Sequence, residues 1–249
     1  MTHSTVTVVA SRAALAEEAA QAVAGGAEEA VRQTGRFTLA LSGGSTPRRL
    51  YARLASLPFR SRIDWTRVHV FWGDERCVPP DHPDSNYRLA YESLLSKVPI
   101  PPERIYRMRG EDPDPERAAE GYARELRRAF SLKPGELPRF DLILLGLGAD
   151  GHTASLLPGS PALNETTRLA VAAYAGPLRV SRLTLTLPVL NTAARVIFLV
   201  SGEEKAEALS AVLKGGASPN RPASLIRPAR GTLWLVDRAA AASLCDISG

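Results

Sequence analysis

Asp141-Leu-Ile-Leu-Leu-Gly-Leu-Gly-Ala-Asp-Gly-His152 runs from an apolar stretch into a segment that sets three glycines and a histidine within seven residues. The apolar part shows no polar alternation, which is how a strand reads when both of its faces are covered. Such strands belong to parallel sheets sandwiched between helices. Ligands of those sheets bind outside the carboxyl ends of the strands, which is where the glycines and His152 fall.

The same strand–loop–helix punctuation recurs in both directions. Apolar runs predict strands at Val6–Val9, Phe37–Leu41, Val68–Trp72, Leu169–Tyr174, Leu183–Leu187, Val196–Val200 and Thr232–Val236, with a short candidate at Ile105–Met108. Helical periodicity covers Ala13–Arg32 behind a Ser11 cap, Pro47–Leu57 with proline in the first turn, a stretch from Asn86, Asp114–Phe130, Glu203–Leu213 and Asp237–Leu244. Strands alternating with helices predict an α/β fold, a mostly parallel sheet covered by helices on both faces. No repeat or low-complexity linker divides the 249 residues, so one domain over 1–249 is expected.

Composition narrows the function. A content of 45% hydrophobic and 23% charged residues is that of a globular protein with a sizeable core. No apolar stretch approaches the ~18 residues that span a bilayer, and Glu17 and Glu18 interrupt the alanine-rich start, so neither a membrane span nor a signal peptide is expected. Two cysteines, Cys77 and Cys245, make no disulfide framework and fit a cytoplasmic location. The net charge of +5 is spread over arginines interleaved with acids, without a nucleic-acid-binding module. It fits a pocket for a small anion or a diffusely basic surface. Lysine is scarce (Lys97, Lys133, Lys205, Lys214), which singles out Lys205 at a strand end.

Four strand-end segments carry chemistry. Ser42-Gly-Gly-Ser-Thr-Pro47 offers close backbone approach at Gly43 and Gly44, hydroxyls at Ser45 and Thr46, and the N–H groups of a following helix. That combination suits phosphate, and the alternative is a plain capped turn. Asp74, Glu75 and Arg76 leave the strand Val68–Trp72 together, with Ser85 and Asn86 closing the next loop. The planar fork of Arg76 suits a phosphate or carboxylate, Asp74 suits sugar hydroxyls or a proton carrier, and Ser85 reads as a helix cap. An imidazole is the side chain suited to general-base work near neutral pH, which makes His152 a candidate base, with Asp150 two residues away to orient it. His3, His69 and His82 stand at no metal-ligand spacing from it. In Val200-Ser-Gly-Glu-Glu-Lys205, the lysine opposes the helix dipole, which points to an anion nearby or to a merely exposed side chain.

Taken together, Leu41-Ser-Gly-Gly-Ser-Thr-Pro47, Trp72-Gly-Asp-Glu-Arg-Cys-Val-Pro79 with Ser85-Asn86, Gly146-Leu-Gly-Ala-Asp-Gly-His-Thr-Ala-Ser-Leu-Leu-Pro158, Arg182-Leu-Thr-Leu-Thr186, Ser201-Gly-Glu-Glu-Lys-Ala206 and Gly231-Thr-Leu-Trp-Leu-Val-Asp237 resemble the 6-phosphogluconolactonases over almost the whole chain. The resemblance implies a Rossmann-like fold and hydrolysis of 6-phospho-D-glucono-1,5-lactone, the second step of the oxidative pentose phosphate pathway. It implies His152 as the base and Asp150 as its partner. It also implies a phosphate site on Gly43, Gly44, Ser45 and Thr46, with charge from Arg76 and Lys205 and a secondary place for Arg48 and Arg182. Asp74 and Asn86 are expected at sugar hydroxyls or in organising the pocket. No cofactor or metal is expected. The expected partner is the phosphorylated sugar lactone alone, bound by a monomer or a weak homo-oligomer. The related glucosamine-6-phosphate deaminases share Asp-Gly-His but continue into a glutamate-bearing Phe-Asn-Glu-Pro and carry Asp-Glu-Tyr where this chain has Asp74-Glu75-Arg76. Here Thr153-Ala-Ser-Leu-Leu-Pro158 follows. A non-catalytic sugar-phosphate sensor is the remaining alternative, and the intact Asp150-Gly151-His152 weighs against it.

Overall fold

The computed structural model describes residues 4–174 and 181–244; His3 and Cys245 lie outside them. The chain runs through β1 (Thr5–Val9), α1 (Arg12–Thr34), β2 (Phe37–Leu41), α2 (Ser45–Leu54), α3 (Phe59–Arg62), β3 (Val68–Trp72), β4 (Asp74–Arg76), α4 (Asn86–Ser93), α5 (Pro115–Phe130) and β5 (Leu142–Leu145). It continues through β6 (Ala170–Ala173), β7 (Arg182–Leu185), α6 (Leu187–Asn191), β8 (Val196–Val200), α7 (Ala206–Lys214) and β9 (Thr232–Asp237). The Ser11 hydroxyl caps α1 by accepting from Ala14 N at 3.2 Å, and Gly35 closes that helix in the left-handed region at φ 77°.

A six-stranded sheet in the order β1-β9-β8-β5-β2-β3 is parallel throughout. Every residue of β2, β5 and β8 is buried, as the unbroken apolar runs require. Each fully buried Leu, Ile, Val or Phe there contributes roughly 1.5–3 kcal/mol of apolar transfer. Phe198 of β8 and Trp234 of β9 stack in parallel with centroids 3.8 Å apart. Among the described residues no helix is long and apolar enough to cross a membrane.

The α/β expectation holds for this sheet, but Arg182–Leu185 and Ala170–Ala173 are not part of it. They pair antiparallel with each other, and β7 pairs with β4, in a separate sheet ordered β4-β7-β6. β4 was not expected as a strand, because three residues carry no period to read. Ile105 forms only an isolated bridge to Val70 and not a strand. β7 stops at Leu185 because Pro188 sits in the first turn of α6, where its fixed φ favours helix. α2 begins two residues earlier than its proline suggests and ends at Leu54, short of Leu57, which is 73% exposed. The expected Asp237–Leu244 helix is reduced to a 3-10 turn at Ala242–Leu244. The Asp237 carboxylate accepts from Ala240 N at 2.9 Å, a side-chain contact that competes with helical bonding.

Candidate active site

In the sheet order, β8, β5, β2 and β3 are neighbours, so the loops leaving their carboxyl ends lie side by side. Two buried tyrosines finish these strand ends. Tyr51 of α2 accepts from Ser42 N at 3.0 Å and donates to Ser42 O at 2.7 Å. Tyr122 of α5 does the same for Trp72, with both contacts at 3.0 Å. Burial pushes both phenols far above the ordinary tyrosine value, so both stay neutral donors. Backbone groups that would otherwise be orphaned at the strand ends are thereby satisfied.

After β5 the chain makes a compact turn. Gly151 N donates to Gly148 O at 3.0 Å and Gly148 N to His152 O at 2.8 Å. Gly151 adopts φ 81°, which favours glycine. A Cβ on Gly148 would stand 2.1 Å from His152 Nδ1 and 2.6 Å from Asp150 Oδ1, so the imidazole and carboxylate lie directly over this glycine. His152 Nδ1 meets Asp150 Oδ1 at 2.5 Å, and the same oxygen accepts His152 N at 3.1 Å. Partial burial works to raise the Asp150 pKa, but the His152 N–H and the nearby imidazole outweigh it and hold the carboxyl below its usual range. A neutral ring that gives its Nδ1 proton to Asp150 keeps the Nε2 lone pair as a base.

After β2 the backbone passes Gly43 and Gly44 into α2. Gly44 has φ 109°, and no side chain caps this helix. A Cβ on Gly43 would fall 1.8 Å from Asn86 Oδ1. Asn86 is buried and fixed: its Nδ2 donates to Asp74 O at 2.9 Å and Asp74 Oδ1 at 3.4 Å, and its N donates to Glu75 Oε1 at 2.7 Å. Asp74 is itself buried, with Oδ2 accepting from Ser155 Oγ at 2.7 Å. Ser155 is fully buried, so the serine that follows the histidine motif anchors the second carboxylate loop. Glu75 accepts from Asn86 N, Tyr87 N, Arg76 N and Ser85 Oγ at 2.7–3.1 Å and so gathers the start of α4. Burial nevertheless raises its pKa, outweighing those donors. Ser85 caps α4, as its sequence position suggested, by accepting from Arg88 N at 3.1 Å.

The cations come from both sheets. Arg76 faces Arg182, and Asp74 faces Thr184, across the β4–β7 ladder. Cys77 N donates to Ser181 O and Leu185 N to Gly73 O, both at 2.8 Å. By the alternation of antiparallel bonding, the Arg76–Arg182 and Asp74–Thr184 pairs are then the close ones, with Cα atoms ~4.5 Å apart. Arg76 Nη1 donates to Asp84 O at 2.8 Å, while its buried Nε has no partner. On the other side, Thr46 Oγ1 meets Ser201 Oγ at 2.7 Å and ties the loop after β2 to the loop after β8. Gly202 N donates to the buried Asp237 Oδ1 at 3.1 Å, and this fixes the 3-10 turn Glu203–Lys205 that carries Lys205.

Of the residues expected at the site, the contacts join Gly43, Asn86 and Asp74, pair His152 with Asp150 and Arg76 with Arg182, and link Thr46 to the loop bearing Lys205. Gly44 and Ser45 are exposed at the open start of α2, and Lys205 is half-buried. Sequence reasoning assigned nothing to Tyr51, Ser155, Ser201 or Asp237, which hold the site. Ser155, Ser201 and Asp237 lie within the quoted motifs, which gave no sign of their contacts, while Tyr51 carried no signal.

A Rossmann-like parallel sheet with glycine loops and a carboxylate-paired histidine at its carboxyl edge defines a class: α/β proteins whose ligands bind outside the carboxyl ends of the strands. The chain belongs to the family described as glucosamine-6-phosphate isomerases/6-phosphogluconolactonase, whose model matches residues 10–235. It is 43% identical to the 6-phosphogluconolactonase of Synechocystis sp. over 96% of this chain and 98% of that protein. The 6-phosphogluconolactonase of Streptomyces coelicolor is 38% identical over 92% and 90%. The solved structure of 6-phosphogluconolactonase from Trypanosoma brucei superposes with a TM-score of 0.86 at 31% identity, covering 98% of this chain and 100% of that one.

Proposed function

We propose that this chain hydrolyses 6-phospho-D-glucono-1,5-lactone to 6-phospho-D-gluconate, acting as one domain. The single observation that carries the chemistry is the 2.5 Å contact between His152 Nδ1 and Asp150 Oδ1. It orients the ring and leaves Nε2 as a base. His152 takes a proton from water as the water oxygen bonds to C1 of the lactone. The tetrahedral intermediate then collapses, the C1–O5 bond breaks, and the proton held by His152 passes to O5. No covalent enzyme intermediate is needed, because a δ-lactone is an activated ester. The phosphate rests on Gly43, Gly44, Ser45 and Thr46 at the uncapped start of α2, whose N–H groups and dipole favour an anion. Arg76, Arg182 and Lys205 supply the countercharge. Asp74 and Asn86 hold the pocket wall.

Deamination is disfavoured because Thr153-Ala-Ser-Leu-Leu-Pro158 follows His152 without the glutamate of the deaminases' Phe-Asn-Glu-Pro, and Ser155 in this segment is spent on Asp74. The test is His152→Ala in a coupled dehydrogenase assay, with spontaneous lactone opening subtracted. Loss of general-base help lowers kcat by about 10²–10⁴-fold. Turnover near wild type would remove His152 from the mechanism, and binding of 6-phosphogluconate without any hydrolysis would favour the sensor.

A further inference from the structure

The loop from Gly215 to Ile226 has no part in the mechanism above, yet it packs directly against the catalytic turn. Ala223 N donates to Gly151 O at 2.9 Å. A Cβ on Gly151 would lie 3.2 Å from Arg221 Cα, Cβ and Cγ, so the stem of Arg221 lies against the residue between Asp150 and His152. The guanidinium reaches away from the turn, where Nη2 donates to Gly215 O at 3.3 Å. Gly215 caps the carboxyl end of α7, where a cation is favourable. Arg221 itself is fixed by its own loop. Its N donates to Ser218 O at 3.0 Å, and its O accepts from Ser224 Oγ at 2.7 Å and Ser224 N at 2.8 Å. Its Nε is buried with no acceptor, a cost that an aliphatic residue filling the same space would not carry.

We propose that Arg221 is a positioning residue for His152, a strut that braces the Asp150–His152 turn against the end of α7; the proposal rests on His152 being the base. The turn's internal bonds, Gly148 N to His152 O and Gly151 N to Gly148 O, set its shape but not its placement. Placement depends on what lies against it, and Arg221 presses on the glycine that has no side chain to resist. Because α7 follows directly on the turn bearing Lys205, the strut also couples the base to the phosphate side of the pocket.

The test compares wild type, Arg221→Ala and Arg221→Lys for kcat, KM, thermal midpoint and the pH dependence of kcat/KM, with His152→Gln alongside. It also follows the His152 ring Cε1–H by NMR titration. Small displacements of a catalytic group are costly, so Arg221→Ala is expected to lower kcat by about 10-fold, leave KM within about twofold and displace the His152 titration. Arg221→Lys keeps the stem over Gly151 and can still donate to Gly215 O, and it recovers kcat to within about threefold of wild type by the same reasoning. An Arg221→Ala enzyme with wild-type kcat and pH profile, beside an inactive His152→Gln, overturns the proposal. So does a loss shared equally by the alanine and lysine variants that follows the fall in thermal midpoint. If His152→Gln turns over like wild type, the base assignment has failed. An unmoved His152 titration in Arg221→Ala then overturns the strut independently of turnover.

Discussion

The loops that leave β5 and β2 both turn on a glycine that cannot carry a side chain, but the space each glycine frees is used differently. At Gly148 the missing Cβ makes room for the loop's own His152, four residues on, whose side chain stays 29% exposed. At Gly43 it makes room for Asn86, which is 2% exposed and fixed to Asp74 and Glu75. One glycine therefore serves a group that reaches the solvent. The other serves a buried lattice of polar contacts. One close-packed glycine thus sits under a partly exposed side chain and the other under a locked, buried one.

Adding one methyl group to each loop separates the two cases. Gly148→Ala drives the His152 ring off Asp150, and the ring can yield towards solvent. We expect kcat to fall by about 10²-fold or more with the fold intact, read as turnover alongside circular dichroism. Asp150→Asn breaks the same pair from the other side and lowers kcat, with KM little changed. A Gly148→Ala enzyme with normal kcat would mean that the ring orientation does not matter.

Gly43→Ala meets a neighbour that cannot yield. Asn86 begins α4 and is held at both ends, so the backbone must shift instead. Overpacking of this kind costs about 1–3 kcal/mol, to be measured as a lower urea midpoint, with KM rising and kcat nearly preserved. Loss of kcat without loss of stability would make the two loops equivalent and dissolve the contrast.

Lys205→Ala probes the anion side without touching either glycine. Loss of one charge-assisted bond to phosphate, about 1.5 kcal/mol, raises KM roughly 10-fold. An unchanged KM would take Lys205 out of the phosphate site.

The contrast also explains what the sequence could tell. Phe37–Leu41, Asp141–Leu145 and Val196–Val200 were legible as strands because a strand covered on both faces shows an unbroken apolar run. His152 stood out as a candidate because a rare titratable residue stood among glycines at a strand end. β4 escaped notice because three polar residues leaving a strand look like solvated loop. The burial of Asp74 and Glu75 depends on Ser155, Ser85 and Asn86, whose approach only the fold sets. The same holds for Tyr51 and Tyr122, whose hydroxyls close strand ends 9 and 50 residues away. Two helix starts differ from the periodicity for one reason: at Gly44 and Gly202, with φ of 109° and 101°, the chain reverses into a helical turn sooner or more tightly than side-chain periodicity signals.

The smallest effect tests the electrostatics of the exposed turn by itself. Asp150 has its carboxyl held below the ordinary range, so its folded-state value lies under the unfolded one, ~3.9. A depressed carboxyl contributes stability that is present above the unfolded value and is lost as pH falls through the folded one. Asp150→Asn removes that contribution. Thermal midpoints of the wild type and the variant should therefore differ modestly at pH 6–7, with the wild type higher, and converge as the pH drops below about 4. The Asp150 side chain is 54% exposed, so solvent screening keeps the gap small, and added salt should narrow it further. A gap of constant size from pH 7 to pH 3 would show that Asp150 acts through its shape and hydrogen bonds, and not through its charge on His152.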